Sequence, residues 1–262
     1  MQPIICLGQQ PNGILPKRFF LAKLQTARKL QQEIGGNIVW FCHDADHDPK
    51  ETRTRIPSKQ HPDGFIETNF SFKNKTQRKF TPLSHKAVGG LEEIRETLRH
   101  HTNEFVLAAF DNVNADTVAE FCIQMYTNLG LLDGVKVVRS SDPQFRQQAQ
   151  TNGLETGWFY DTEHNGELVR ARLKNNSLSL HRGGDAYDDL GTLSEIDKAQ
   201  LSPGWQKRFD WMQSVIGCTH YVLGKGEQEY FQNITIQNPP EFVLRETVDD
   251  SDLAFIPTTY QS

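Results

Sequence analysis

Short, unbroken apolar runs alternate along this chain with longer stretches in which apolar residues recur every three or four positions. Ile38-Val39-Trp40-Phe41-Cys42 is the clearest run. It is bounded by Gly35-Gly36 and reads as a strand buried on both faces. Pro3 to Leu7, Val135 to Val138 and Thr219 to Leu223 read the same way. Between the first two runs, Phe20, Leu24, Ala27, Leu30 and Ile34 predict an amphipathic helix starting after Pro16 and stopped by the two glycines. Strand, loop, helix, strand is the grammar of a β-α-β unit with parallel strands. The loop from Gly8 to Lys17 and the segment from His43 to Asp48 are then expected at the same edge of one sheet.

Further along, Leu91-Ile94-Leu98, Val118-Cys122-Met125-Leu129 and Trp205 to Ile216 predict helices, and Gly224-Lys225-Gly226-Glu227 opens another that runs through Tyr230 and Phe231. Residues 49–62 are charged and proline-punctuated and read as an exposed loop. Phe65 to Phe72 suggests a strand or hairpin with Phe80. Gly157 to Leu173 reads as a hairpin turning at Asn165-Gly166, because tight hairpin turns need positive φ. Ser177 to His181 adds a strand, 182–189 reads as loose, and Thr192-x-x-Glu195 as the capping box of a short helix. The tail offers strand-like pieces at Phe242–Leu244 and Leu253–Ile256. The expected architecture is one α/β domain over 1–262. It has a doubly wound, mainly parallel sheet and a small β-rich insertion around 150–190, too short and polar to hold a core alone.

Composition narrows the function classes without naming one. At 262 residues and 37% hydrophobic content the chain can bury a sizeable core. A net charge of −5 makes no general case for nucleic acid or an anionic membrane as partner. No apolar run approaches the roughly 20 residues of a membrane helix, and no signal peptide is visible at the N-terminus. Cys6, Cys42, Cys122 and Cys218 are scattered with no C-x-x-C pair, which fits reduced thiols in a cytoplasmic protein. The basic runs 50–59 and 73–79 read as solvated loops, with a lid over an anionic ligand as the alternative.

Three stretches can carry chemistry. Gly8-Gln9-Gln10 through Gly13 to Lys17 lies between strand and helix, where glycines admit a ligand and a helix N-terminus favours an anion. Its spacing is neither a dinucleotide fingerprint nor a Walker loop. His43-Asp44-Ala45-Asp46-His47-Asp48 follows the second strand. In an extended segment Asp44, Asp46 and Asp48 would share one face and the two histidines the other. Imidazole beside carboxylate suits general acid–base work, orientation of an amine, or a divalent metal, although no further metal ligand is singled out. Gly224-Lys225-Gly226-Glu227 repeats the strand–glycine–helix theme, with Tyr230 one turn on and Arg208 in the preceding helix.

In combination these segments resemble the BshC family, to which the cysteine-adding step of bacillithiol biosynthesis is ascribed. The family's G-Q-Q loop and following helical lysine match Gly8-Gln9-Gln10 and Lys23. Its apolar strand ending in E-D-H-D matches Trp40 to Asp48. A later G-L…D-P pattern is echoed by Gly130-Leu131 and Asp142-Pro143. The S-P…R…Y-V-x-G-x-G-E-x-x-Y segment is matched by Ser202-Pro203, Arg208, Tyr221-Val222, Gly224, Gly226-Glu227 and Tyr230. The chain departs in having Ala45 for the glutamate, Lys225 and Phe209 for prolines, and about half the family's length without its coiled coil.

The resemblance implies a Rossmann-like core, as in class I nucleotidyl- and aminoacyl-transferring folds. It also implies a ligase joining a cysteine-like amino acid to the amine of a small polar, amino-sugar-like substrate. The expected catalytic residues are His47, Asp46 and Asp48. The expected substrate contacts are Gly8, Gln9, Gln10, Gly13, Lys23, His43, Asp44, Arg208, Gly224, Lys225, Gly226, Glu227 and Tyr230. No cofactor is certain, with ATP or ADP the candidate, and no metal is expected. The partner expected is a small-molecule substrate, with no nucleic acid or membrane. Oligomer formation is open but not through a coiled coil. The alternatives are a metal-dependent hydrolase on His43, Asp46, His47 and Asp48, or a non-catalytic small-ligand-binding relative.

Overall fold

The computed structural model describes residues 2–258. Strand β1 (Ile4–Gln9) leads through a buried loop to α1 (Arg18–Ile34) and β2 (Asn37–Cys42). A small antiparallel pair, β3 (Thr54–Pro57) and β4 (Phe65–Thr68), precedes four helices, α2 (Lys75–Phe80), α3 (Leu91–His101), α4 (Glu104–Asp111) and α5 (Val118–Asn128). Then come β5 (Val135–Arg139) and α6 (Pro143–Gln148). An antiparallel run follows, β6 (Trp158–His164), β7 (Glu167–Lys174), β8 (Ser177–Gly183), β9 (Ala186–Thr192) and β10 (Leu201–Pro203). The chain continues through α7 (Trp205–Ile216), β11 (His220–Leu223), α8 (Lys225–Phe231) and β12 (Glu241–Leu244).

The central sheet has five strands in the order β12-β11-β1-β2-β5, and every neighbouring pair is parallel. This is a mixed α/β fold. Because side chains alternate across a strand, each central strand feeds two cores. Ile5, Leu7, Ile38, Trp40 and Val222 enter one, under α1, α3, α4 and α5. Its centre is an aromatic group in which the Phe20 ring lies 4.8 Å from Trp40 and 5.7 Å from Tyr126. Cys6, Val39, Phe41, Tyr221 and Leu223 enter the other, with α6, α7 and the antiparallel sheet. Burial on both faces explains why these strands read as continuous apolar runs rather than alternating ones.

The β-rich insertion is larger than the sequence predicts. It forms a five-stranded sheet ordered β10-β6-β7-β8-β9, and Trp158, Val169, Ala171, Leu173 and Leu180 share the second core with the parallel sheet. The hairpin turns at Asn165-Gly166 as expected, with φ of 54° and 75°. A buried ion pair ties the insertion down. Arg146 of α6 donates to Asp161 of β6 at 2.7 Å, and to the carbonyls of Ser140 and Ala199.

Several local expectations are corrected. β3 lies inside the stretch read as loop, where Thr54 and Ile56 are buried, and it takes the role expected of Phe80 as partner for β4. Phe80 instead ends α2, whose cap Asn74 accepts from Gln77 N. α4 and α6 were not expected either. β9 falls in the segment read as loose because it is a solvated edge strand, irregular in register, with no apolar period. Thr192 ends that strand and caps no helix, and the next turn, a 3-10 helix at Lys198–Gln200, is capped by Asp197. Leu253–Ile256 makes only a single bridge, Ala254 to Lys17. Among the described residues no helix is long and apolar enough to cross a membrane.

The Arg146–Asp161 pair is almost fully buried, so removing one partner strands the other's charge. Asp161→Ala is expected to lower unfolding stability by about 3–5 kcal/mol, read as a shift in the urea midpoint. Replacing both residues by leucine should recover most of it.

Candidate functional site

The chain leaves β1 toward β2 on one side and returns to β11 on the other, so the strand order reverses between β1 and β11. At such a reversal the loops beyond the carboxyl ends of the two strands part and leave a crevice, the usual ligand position in open α/β sheets. A cleft of about 1040 Å³ opens there. One wall is the segment after β1, Gly8, Gln9 and Gln10, and the opposite wall is Gly224 to Glu227. His43 and Asp48 contribute from the end of β2, and Arg208 from α7. Trp205 and Tyr230 stand at its side with ring centroids 4.5 Å apart, the Tyr230 hydroxyl donating to the Trp205 carbonyl.

Gly8 has to be glycine for reasons of space. A Cβ there would overlap the Tyr221 hydroxyl and stand 2.8 Å from His43 Nε2. The His43 ring therefore lies against bare backbone, edge-on to Phe41 at 4.8 Å. Burial, then the nearby Arg208 guanidinium, hold its pKa well below the ordinary histidine value, against the pull of Asp46. His43 is thus a neutral imidazole at neutral pH.

Lys23 does reach the cleft, but it is not free. Its Nζ donates to the Gly8 carbonyl at 2.9 Å and pairs with Glu227 at 2.6 Å, while Glu227 accepts from Gly224 N. This Lys23–Glu227 link holds the two glycine-bearing walls at a fixed distance. Lys225 and Arg245, in contrast, face the cleft with no carboxylate partner among the described residues.

The Asp/His segment does not run extended. The chain turns after Cys42, with Asp44 N bonded to Cys42 O and Asp46 N to His43 O, so the shared face expected for the aspartates does not form. Asp44 turns inward and is saturated by Arg139, Ser140 and Ser141. Asp46 accepts from Gln10 Nε2 at 2.9 Å, Arg208 Nη2 at 2.9 Å and His47 N at 2.7 Å, with Arg170 Nη1 at 3.6 Å. Burial pushes the Asp46 carboxyl up, but Arg208, Arg170 and His47 outweigh it and hold the group far below the usual carboxylate range.

His47 points away from the first cleft into a second one of about 910 Å³. Burial, then Arg170, depress its pKa to about 4. Gly13 also lies off the cleft. Its φ is 121°, its carbonyl accepts from Tyr126, and a Cβ would stand 2.5 Å from Thr54 Oγ1, so it serves the core. The N-terminus of α1, expected to receive an anion, is occupied by the tail. Arg18 N donates to Leu253 O and Phe19 N to Ser251 O.

Arg170 is the site residue that sequence reasoning missed. It stands on the face of β7 opposite Val169, Ala171 and Leu173, in line with Arg172 and Lys174, so the alternation marks it only as an outward-facing charge. It is buried, bonded to Ser202 Oγ and Pro203 O, and its guanidinium lies 4.0 Å from the Phe159 ring centroid. Among the described residues, no cluster of three histidine, cysteine or acidic side chains is placed to hold a metal ion. Compared with protein-family models and with curated proteins, the chain matches none.

Unfolded histidine binds a proton near pH 6.5, whereas His47 in the fold binds one only near pH 4. Between those values the unfolded state holds more protons, so stability is full above about pH 6.5 and falls as pH drops toward 4. His47→Gln should flatten that part of a stability-versus-pH curve measured by urea unfolding. Asp46→Ala leaves two guanidiniums facing each other without their anion, and is expected to cost about 3 kcal/mol by the same measurement.

Proposed function

We propose that this chain is an enzyme of ligation or group transfer, joining an amino acid to the amine of a small polar substrate in the cleft at the strand reversal. The BshC resemblance suggests the reaction. The observation that carries the reading is His43, a neutral imidazole with no hydrogen-bond partner for its ring among the described residues, facing a cleft of ligand size. A neutral imidazole held against bare backbone is suited to accept a proton. In this reading the base role falls to His43 rather than His47, and Asp46 positions Arg208 and Gln10 instead of touching the substrate.

The step balances simply. The amine attacks an activated carboxyl carbon, the C–N bond forms, and the activating group leaves with the C–O bonding pair. The amine's proton passes to His43. Lys225 and Arg245 offer charge to an anionic portion, and the Trp205–Tyr230 pair offers an aromatic face of the kind a nucleoside base stacks on. ATP or ADP is the cofactor this arrangement favours. The strand order β12-β11-β1-β2-β5 is in keeping with a Rossmann-like, doubly wound core. A cytoplasmic location belongs to the same reading. The hydrolase alternative gains nothing from the geometry, because His43 and His47 face different clefts and Asp46 is spent on guanidiniums.

The test is turnover of ATP, cysteine and a panel of amino sugars, with the C–N product followed by mass spectrometry. His43→Gln is expected to lower turnover by about 10²-fold or more while leaving ligand-induced thermal shifts in place. The acid limb of the rate profile should lie below pH 6.5, since the neutral form is the active one. Thermal shifts without product from the unaltered protein would assign the cleft to a binding protein instead.

A further inference from the structure

The basic stretches 50–59 and 73–79 read as solvated loops in the sequence, yet part of each converges on the second cleft. This space lies between the end of β2, helix α2 and the outer face of the antiparallel sheet, and has a volume of about 910 Å³. Six cationic side chains line it: Arg170, which pairs with Asp46, and five others, Lys50, Lys75, Arg78 and Lys79 from the two basic stretches and Arg172 from β7. Among the described residues none of the five has a carboxylate within 4.0 Å. Every ion pair of the neighbourhood is made by other groups, Arg170 with Asp46 and Arg182 with Asp188. Among the described residues Asp48 is the only acidic side chain on the lining.

That concentration runs against the chain's average, which is a net charge of −5. Exposed cations on a solvated face are usually interspersed with acids. Five uncompensated ones around a concavity focus a positive potential into it, because the low-dielectric walls confine the field. Beneath them the surface is aromatic, with Phe72, Phe80 and Phe159 on the lining. Phe159 is fixed by Arg170 at 4.0 Å and Phe80 by Arg182 at 5.0 Å. The cleft is therefore shaped and charged before any ligand arrives.

We infer that the second cleft is a binding site for a small polyanion carrying two or more phosphate groups, held by Lys50, Lys75, Arg78, Lys79 and Arg172. The dimensions suit a small molecule of nucleotide size. Arginine forks and lysine point charges together supply more than enough donors for several phosphate oxygens. The site is separate from the cleft of His43, and the two share only Asp48 and Lys50 on their linings.

Inorganic tripolyphosphate is the probe, titrated into the protein by calorimetry at fixed ionic strength. The unaltered protein is expected to bind it with an affinity that falls steeply with added salt. Arg78→Glu combined with Lys79→Glu should weaken binding at least tenfold. Lys136→Glu combined with Lys174→Glu, which changes net charge equally at exposed positions off the cleft, should change it less than twofold. The two pairs of substitutions lie on exposed side chains, and circular dichroism with an unfolding curve checks that each variant folds. Equal weakening in both pairs, or no tripolyphosphate binding by the unaltered protein, overturns the proposal. So does a single-stranded RNA dodecamer that binds far more tightly than tripolyphosphate and loses its binding in the Arg78/Lys79 variant, which would give the cleft to nucleic acid. His43→Gln is expected to leave tripolyphosphate binding intact, so this test and that of the first cleft can fail separately.

Discussion

The carboxylate of Asp46 is the interaction on which the arrangement of the site depends. It sits beyond the end of β2, yet its partners come from three other places. Gln10 belongs to the loop after β1, Arg208 to α7, and Arg170 to the inserted antiparallel sheet. A single anion between two guanidiniums gains from both attractions, and it also screens two cations that would otherwise repel each other at close range. This is why the carboxyl stays ionised despite burial. The same geometry explains why Asp46 has no capacity left for substrate, since its oxygens already serve Gln10, Arg208 and the backbone N–H of His47.

The consequence is a partition. With Asp46 and Arg170 forming a partition behind the end of β2, the segment His43 to Asp48 cannot present all its side chains on one side. His43 is left in the cleft at the strand reversal and His47 in the cleft beside the insertion. Lys86 reinforces the turn by donating to the His47 carbonyl, where burial lowers its pKa to about 7 against the attraction of Asp46 and Asp48. Both histidines are neutral near pH 7 for the same reason, burial next to arginine. They differ in what surrounds the opening: mixed charges around His43, and almost wholly cationic ones around His47.

Much of the parallel core was legible because a strand buried on both faces leaves an unmistakable apolar run, as at Ile38 to Cys42. The convergence of Gly8–Gln10, the end of β2 and Gly224–Glu227 was legible for a related reason, since parallel strands put all their carboxyl ends on one edge. What the residues alone did not reveal depends on contacts distant in sequence. β9 is an edge strand from which only Leu190 packs toward the core, so no periodicity marks it. β3 is set by Thr54 Oγ1 accepting from Ile14 N, a contact across 40 positions. The direction of each histidine follows from the turn after Cys42, and that turn is dictated by Arg139, Ser140 and Ser141 gathering Asp44 inward. Nothing local to His43-Asp44-Ala45-Asp46-His47 encodes those partners. The asparagine of α2 and the Asp142-Pro143 start of α6 are different, because there the capping signals were present in the sequence.

The occupied N-terminus of α1 bears on where an anion can bind. In many α/β proteins the first helix receives a phosphate on its free N–H groups. Here the carbonyls of Ser251 and Leu253 take the first two of them, and Lys17 is drawn to Asp252 at 3.4 Å. The short helix α8 is likewise closed on itself through Glu227. With the first backbone donors of α1 used internally, charged side chains are what this edge holds for an anion beside that helix. In the first cleft those are Lys225 and Arg245. In the second they are the five cations contributed by the β2 end, α2 and β7. At the proposed sites an anion would meet mobile lysine and arginine heads rather than the N-terminal dipole of α1. Such a site accommodates ligands of varied shape and loses affinity with salt more steeply than a backbone cradle does.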